Sequence, residues 1–338
     1  MTRVVIHIGS HKTGTTYLQR GFVALRPDLR AAGIDYPVQW QDHLHGHHSL
    51  VRLLAAGDAE TPARLAVLAG EAGHGGRALL LSSENFEDIE AAAIGRLASA
   101  LHGHQVEIVY FLRRWQGLVP SAWQEAVKQG GSETFPQFLL AHMLRLADSP
   151  LLNPGITLGR FAEAFGRQAI RLVAYDRLVE QGEELLGFFL RAVLGVAVAP
   201  PEQAGRINRA LPPADVEIIR ALNAAAQRSP DSLPGGVWPM RLFFELGRHG
   251  LPAIATLRRV MAQHVTRQVL PTMPALRAVE RDVIARFGPA LPGDVPEAAP
   301  AEAEHVAGTY WMEPSVPAAF AELRAAIRQT HAEAALAA

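Results

Sequence analysis

The sequence predicts an α/β fold, a central parallel sheet flanked by helices with a helical C-terminal part, on three observations. Short apolar runs rich in β-branched residues recur at Val4–Ile8, Ala78–Ser82, Val106–Leu112 and Ile170–Tyr175, and helical spacing follows them. Polar residues able to do chemistry stand directly after these runs, where parallel sheets bind ligands. From Ala199 onward the pattern changes to helices joined by Pro-rich connections. The expected organisation is a core over residues 1–200 and a helical part over 201–338, packed on it as one domain.

The chain has 338 residues, 49% of them hydrophobic, which is enough for a sizeable core. Its net charge of -1 gives no overall field for nucleic acid or an anionic membrane, so anion binding must come from local groups. Cysteine is absent, which excludes disulfides, thiol catalysis and Cys-ligated zinc. Neither a signal-peptide pattern nor an apolar run near about 18 residues is present, so the expectation is a soluble cytoplasmic protein. Among 32 basic residues only Lys12 and Lys128 are lysines. A compact ammonium fits a phosphate loop where a planar guanidinium does not.

The first element is the stretch Val4-Val5-Ile6-His7-Ile8-Gly9-Ser10-His11-Lys12-Thr13-Gly14-Thr15-Thr16. It reads as a buried strand, a glycine-bounded loop and a helix start, and Leu18, Phe22 and Leu25 continue the helix at i, i+4 and i+7. Such a loop presents unpaired N–H groups at the positive end of a helix, an anion site. Gly9 and Gly14 have the spacing of a nucleotide-binding P-loop. The Lys that should follow Gly14 is replaced by Thr15 and sits inside the loop as Lys12. The fold class is therefore P-loop NTPase-like, with altered loop chemistry.

At this loop the chain resembles the sulfotransferases that use 3′-phosphoadenosine 5′-phosphosulfate (PAPS). Ser10, His11, Lys12, Thr13, Gly14, Thr15 and Thr16 are similar to the bacterial form of their 5′-phosphosulfate loop. The resemblance implies that these residues bind that group and that Lys12 also serves catalysis. It covers roughly the first 200 residues and leaves the C-terminal third unassigned.

After a short strand at Gly33–Pro37 come His43, His45, His47 and His48. Three readings fit them: a solvated loop, part of a zinc site, or, in line with the resemblance, the base that takes the acceptor proton. His47-His48-Ser49-Leu50 leads into a helix running to Ala56. A helix start holds a base better than a mobile loop, which favours His48, with His47 close behind. Residues Thr61–Glu71 read as helix. The strand Ala78–Ser82 delivers Ser83 and Glu84 to its carboxyl end. Glu84 is there a candidate base, an orienter of a catalytic His, or the cap of the next helix.

The strand Val106–Leu112 delivers Arg113 and Arg114, and Pro120 suits the first turn of the next helix, beside Ser121. A guanidinium binds phosphate bidentately, and a Ser near a helix start adds donors. The resemblance implies that Arg113 and Ser121 hold the 3′-phosphate, which separates PAPS from ATP. Lys128, two turns along, faces the same site or the acceptor.

Further helices are expected at Phe135–Ala147, Thr157–Phe165 and Glu183–Leu194, then Pro213–Ala226, Arg241–Gln268 with a break at Gly250-Leu251-Pro252, and Phe320–Ala337. Arg206 and Arg209 are weak candidates for a basic loop closing over the nucleotide, and Pro289–Pro300 reads as a flexible loop. Trp40, Trp115, Trp238, Trp311 and Tyr310 are candidates for stacking on sugar rings.

The implied reaction is sulfuryl transfer from PAPS to a hydroxyl, with a saccharide or glycoconjugate acceptor, no metal, no nucleic acid partner and no stable membrane insertion. Two other classes compete: a P-loop kinase or NTPase, and a non-catalytic nucleotide-binding protein of the same fold. A zinc hydrolase built on the His cluster is more distant.

Overall fold

The computed structural model describes residues 1–201, 210–228, 238–293 and 299–336. Arg206 and Arg209 lie outside the described residues. In chain order the elements are β1 (Arg3–His7), α1 (Thr15–Ala24), α2 (Arg26–Ala31), β2 (Ile34–Asp35), α3 (His48–Ala56), α4 (Thr61–His74), β3 (Ala78–Ser82) and α5 (Ala91–Ala100). There follow β4 (Gln105–Leu112), α6 (Trp115–Lys128), α7 (Phe135–Met143), α8 (Gly155–Phe165), β5 (Ile170–Ala174), α9 (Tyr175–Glu180) and α10 (Leu185–Phe188). The last are α11 (Pro213–Arg228), α12 (Trp238–Arg248), α13 (Pro252–Gln263), β6 (Val265–Leu270), α14 (Pro274–Phe287), β7 (Ala301–Val306) and α15 (Ser315–Leu336).

Two compact units result, one from residues 1–115, 146–208 and 272–298, the other from 116–145, 209–271 and 299–338. The first holds the predicted parallel sheet, with strand order β2-β3-β1-β4-β5. β1 is central because its apolar residues are buried on both faces. Side chains alternate along a strand. Val4, Ile6 and Ile8 therefore join one core with Leu79, Leu81, Ile108 and Leu172. Val5 joins the other with Leu80, Val109, Phe111, Phe22 and Phe189. The chain leaves β1 toward β2 and β3 on one side and returns to β4 and β5 on the other. The carboxyl end of β1 is thus where the strand order reverses, the usual ligand position in such sheets.

The second unit contains α7, α11, α12, α13, α15 and most of α6, with an antiparallel hairpin of β6 and β7. Residues 265–268 therefore end the predicted helix as strand. Val265-Thr266-Arg267-Gln268-Val269-Leu270 has the two-residue alternation of a half-buried strand, and only pairing with β7 separates it from the helix before it. Inside the unit, Asn223 on α11 donates to the carbonyls of Val127 (2.7 Å) and Gly131 (2.8 Å), which caps the end of α6. Glu217 is buried and accepts from Arg220 and from Tyr310, each at 2.6 Å.

α6 starts at Trp115, so Pro120 lies within the helix and not in its first turn. Ser121 is correspondingly placed in the second turn, in the second unit, and the N–H groups expected beside it belong to Trp115 and its neighbours. Among the described residues, no helix is long and apolar enough to cross a membrane.

Candidate active site

The loop between β1 and α1 is tethered residue by residue. Ser10 Oγ donates to the Phe111 carbonyl at 3.0 Å. The His11 N–H donates to Glu87 Oε2 at 2.9 Å. The Lys12 carbonyl accepts from Arg113 Nη1 at 2.5 Å, and Thr13 Oγ1 donates to the Ser10 carbonyl at 2.6 Å. Lys12 has φ 64° and Gly14 φ 82°, both left-handed. For a non-glycine residue that conformation costs about 1–2 kcal/mol, which the tethers hold in place. A Cβ at Gly14 would also meet Leu185 Cδ2 at 2.6 Å.

No side chain caps α1, whose first N–H groups open onto the loop. Thr15 Oγ1 is buried at this helix start without a hydrogen-bond partner, and so is Nε of Arg113, whose Nη1 holds the Lys12 carbonyl. The Arg113 guanidinium also lies 5.2 Å from the centre of the Tyr175 ring. Buried polar groups are normally satisfied. Thr15 Oγ1 and Arg113 Nε are thus two buried donors without an internal partner near a glycine-bounded helix N-terminus, chemistry suited to an anion. Thr16 stands beside Thr15 in the same first turn and is partly buried.

Ser83 and Glu84 arrive at the carboxyl end of β3, at the head of a 3-10 turn, Glu84–Asp88, that Ser83 Oγ caps by accepting from Asn85 N–H. The start of α3 is pinned to the same strand end. The His47 N–H donates to the Ser82 carbonyl at 2.8 Å, and the Ser82 N–H donates to His47 Nδ1 at 3.1 Å. His47 Nε2 must then carry the ring proton, which it shares with the Pro37 carbonyl at 3.1 Å. Both nitrogens are thus occupied, and burial lowers the pKa to about 4 against the help of those bonds. His47 thus bridges the Ser82 N–H and the Pro37 carbonyl through its two ring nitrogens.

His48, the first residue of α3, is the one the fold presents. Its Nδ1 lies 2.7 Å from Ser83 Oγ, and its buried Nε2 has no partner. Glu84 Oε2 lies 3.9 Å from that Nε2 and accepts from Gln19 Nε2 of α1 at 3.0 Å. The backbone at Gly46 closes over the pair: a Cβ there would come within 2.5 Å of His48 Nε2. Glu84, with 17% of its side chain exposed, is the more open member. His43 is exposed and His45 half-buried, and among the described residues no group of three His, Asp or Glu is arranged to hold a metal ion.

The remaining sequence candidates have these surroundings. Arg114 is bound to the α9 carboxylates Asp176 and Glu180, the latter at 2.7 Å. Ser121 and Lys128 belong to the second unit, where Lys128 pairs with Glu125 at 3.5 Å. Trp115 and Tyr310 are buried and cannot stack on a sugar. Trp40 packs on the core and under Arg64, while Trp311 is 45% exposed and stacks on Phe320. The Trp238 side chain lies outside the described residues. Glu87, Gln19 and Tyr110 went unnoticed in the sequence. Of these only Gln19 carried a signal, its place one helical turn after Thr15.

Three further groups have shifted acidities. Glu87 is raised by burial, against the opposing charge of His11, the His11 N–H and the Tyr110 hydroxyl. Burial disfavours charge on His11, but the Asp88 hydrogen bond and the charges of Glu87, Asp88 and Glu84 outweigh it and raise the pKa. His7, buried beside Ser82 Oγ at 2.9 Å, is lowered to about 3.

His7 and His47 make the fold acid-labile. Their folded pKa values lie below the ordinary value of 6.5, so the unfolded chain binds more protons once the pH drops under 6.5. The stability they leave intact at neutral pH is lost from there down to about pH 4 for His47 and pH 3 for His7. At pH 5 the loss is about 2 kcal/mol for each. Glu87 works in the opposite sense between 4.5 and its raised value, and His11 acts above 6.5. The urea midpoint should therefore fall clearly between pH 7 and pH 5; a flat profile would mean that these rings titrate normally.

No family model matches this chain, and no curated protein matches it. Among solved structures it aligns with the crystal structure of a sulfotransferase from Alicyclobacillus acidocaldarius, at 16% identity and a TM-score of 0.39, over 65% of this chain and 92% of that chain. A likeness of that size leaves fold and site to be read from the chain's own geometry.

Proposed function

We propose that this protein is a sulfotransferase that moves a sulfuryl group from PAPS to a hydroxyl of a saccharide or glycoconjugate. The observation that carries the reading is the pair of orphaned buried donors, Thr15 Oγ1 and Arg113 Nε, around a loop whose Lys precedes the second glycine. The donor set fits a phosphosulfate. Ser10 and Thr13 fix the loop, the uncapped N–H groups of Thr15 and Thr16 meet the anion, and Lys12 supplies the positive charge. Arg113 supports the loop and donates toward the nucleotide. A part for Ser121 in binding the 3′-phosphate rests on its spacing from Arg113.

PAPS supplies an activated sulfuryl group on a good leaving phosphate. The acceptor oxygen forms its bond to sulfur while the bond from sulfur to the bridging phosphate oxygen breaks, and the electron pair leaves on that oxygen. Lys12 and the loop N–H groups stabilise the growing charge. Glu84, the more open carboxylate, takes the acceptor proton, which comes to rest on His48 Nε2. That requires the neutral tautomer with the ring proton donated from Nδ1 to Ser83 Oγ. The resulting imidazolium sits against the Glu84 carboxylate. No metal enters the scheme, because the transferred group carries a single negative charge that these donors can meet.

The test is acceptor-dependent release of 3′,5′-adenosine bisphosphate from PAPS in EDTA, across a panel of saccharides. The expected result is release that rises with at least one acceptor. Magnesium-dependent ATP turnover, with no release from PAPS, would replace this reading by that of a kinase or NTPase.

A further inference from the structure

Glu87 is one of four acidic residues in Glu84–Asp88 and its neighbourhood, yet its surroundings set it apart. It is buried, with 7% of its surface exposed, and both carboxylate oxygens are used. Oε2 accepts from the His11 N–H at 2.9 Å, and Oε1 accepts from the Tyr110 hydroxyl of β4 at 2.7 Å. Its own carbonyl accepts from Thr157 Oγ1 of α8 at 3.1 Å, which locks the turn that carries it. A Cβ on Gly9 would stand 3.6 Å from Oε2, so the carboxylate lies directly under the loop.

Across the loop, Arg113 holds the Lys12 carbonyl at 2.5 Å. Only the backbone angles of His11 and Lys12 lie between these two fixed peptide groups, and Lys12 is the loop's left-handed non-glycine residue. A buried carboxylate on one side and a guanidinium on the other thus over-determine a conformation that Lys12 would not hold alone. A carboxylate under an anion loop would otherwise repel the ligand, so its place there needs a reason, and the held N–H provides one.

We propose that Glu87 is a positioning residue that, opposite Arg113, holds the His11–Lys12 backbone so that the Lys12 ammonium meets the anion bound at the start of α1. This deepens the proposed function and rests on it. Glu87 touches no substrate and acts through Lys12.

A double-mutant cycle on binding of 3′,5′-adenosine bisphosphate, read by calorimetry, tests this. Glu87→Met should weaken binding by tenfold or more in the wild-type background and by less than twofold in the Lys12→Ala background, since the side chain it positions is then gone. Equal losses in both backgrounds would make Glu87 a general structural residue and overturn the proposal. If Glu87→Met does not fold, Glu87→Gln, which keeps a weaker acceptor, should show the same pattern at a two- to fivefold loss; no loss in either background overturns it. If wild type does not bind the bisphosphate at all, the proposed function fails, and the clamp is read from the His11 amide. That amide proton should shift strongly in Glu87→Gln and be protected from exchange in wild type, and an unmoved, unprotected amide rejects it.

Discussion

Replacing Lys12 by Ala should lower turnover by about 100- to 1,000-fold, because a fixed donor aimed at charge that develops in the transition state contributes about 3–4 kcal/mol. Lys12 is the loop residue whose backbone is held from both sides, by Arg113 on its own carbonyl and by Glu87 on the N–H before it. On the proposed mechanism that holding makes its charge useful at the moment of reaction, since nothing has to reorganise. The fold should survive, because Ala at this position meets the same backbone requirement and Lys12 is only partly buried. Lys12→Arg should be almost as damaging, as a planar guanidinium does not fit where a compact ammonium does. The measurement is kcat with both substrates saturating, beside a melting curve. Turnover close to wild type with an unchanged melt would remove the loop from the mechanism.

His48→Gln should cost about 100- to 10,000-fold in kcat, the usual worth of a positioned general base. Glu84→Gln should fall within the same range. The two side chains stand 3.9 Å apart and, on the proposed mechanism, accept one proton between them, so the double variant should be no worse than the poorer single one. Losses that multiply would show two independent roles. Wild-type turnover in both single variants would show that the proton leaves by another route. Replacing His47 by Gln should instead act on stability, since its buried ring bonds the backbone on both sides.

The parallel sheet was legible because its strands are largely buried. Val4–Ile8, Leu79–Leu81 and Ile108–Leu112 are apolar on both faces, and no long-range information is needed to see that. The loop between β1 and α1 was legible for a related reason: glycine spacing, a Lys within and a helix after it are all local. The hairpin was not, because the alternation in Val265–Leu270 follows a helix with only one residue between them, and its partner Ala301–Val306 lies beyond a Pro-rich stretch. Pro120 misled in a different way. Proline fits a first turn so well that its place inside α6 could not be anticipated.

Within the site, the choice between His47 and His48 rests on contacts 35 residues away in the chain, to Ser82 and Ser83. Neighbouring residues at a helix start point in different directions, and the sequence does not say which direction is inward. Glu87 was hidden for the same reason. One more acid in a polar turn looks solvated until the fold places Tyr110 and the His11 N–H against it.

The central claim is that the loop at the carboxyl end of β1 binds a nucleotide phosphosulfate without a metal. Calorimetric titration of the purified protein with 3′,5′-adenosine bisphosphate and with ATP, each in EDTA and in magnesium, tests it most directly. The account predicts binding of the bisphosphate in EDTA, unchanged by magnesium and weakened but still measurable in Lys12→Ala, with much weaker binding of ATP. Tight, magnesium-dependent binding of ATP with none of the bisphosphate would contradict it.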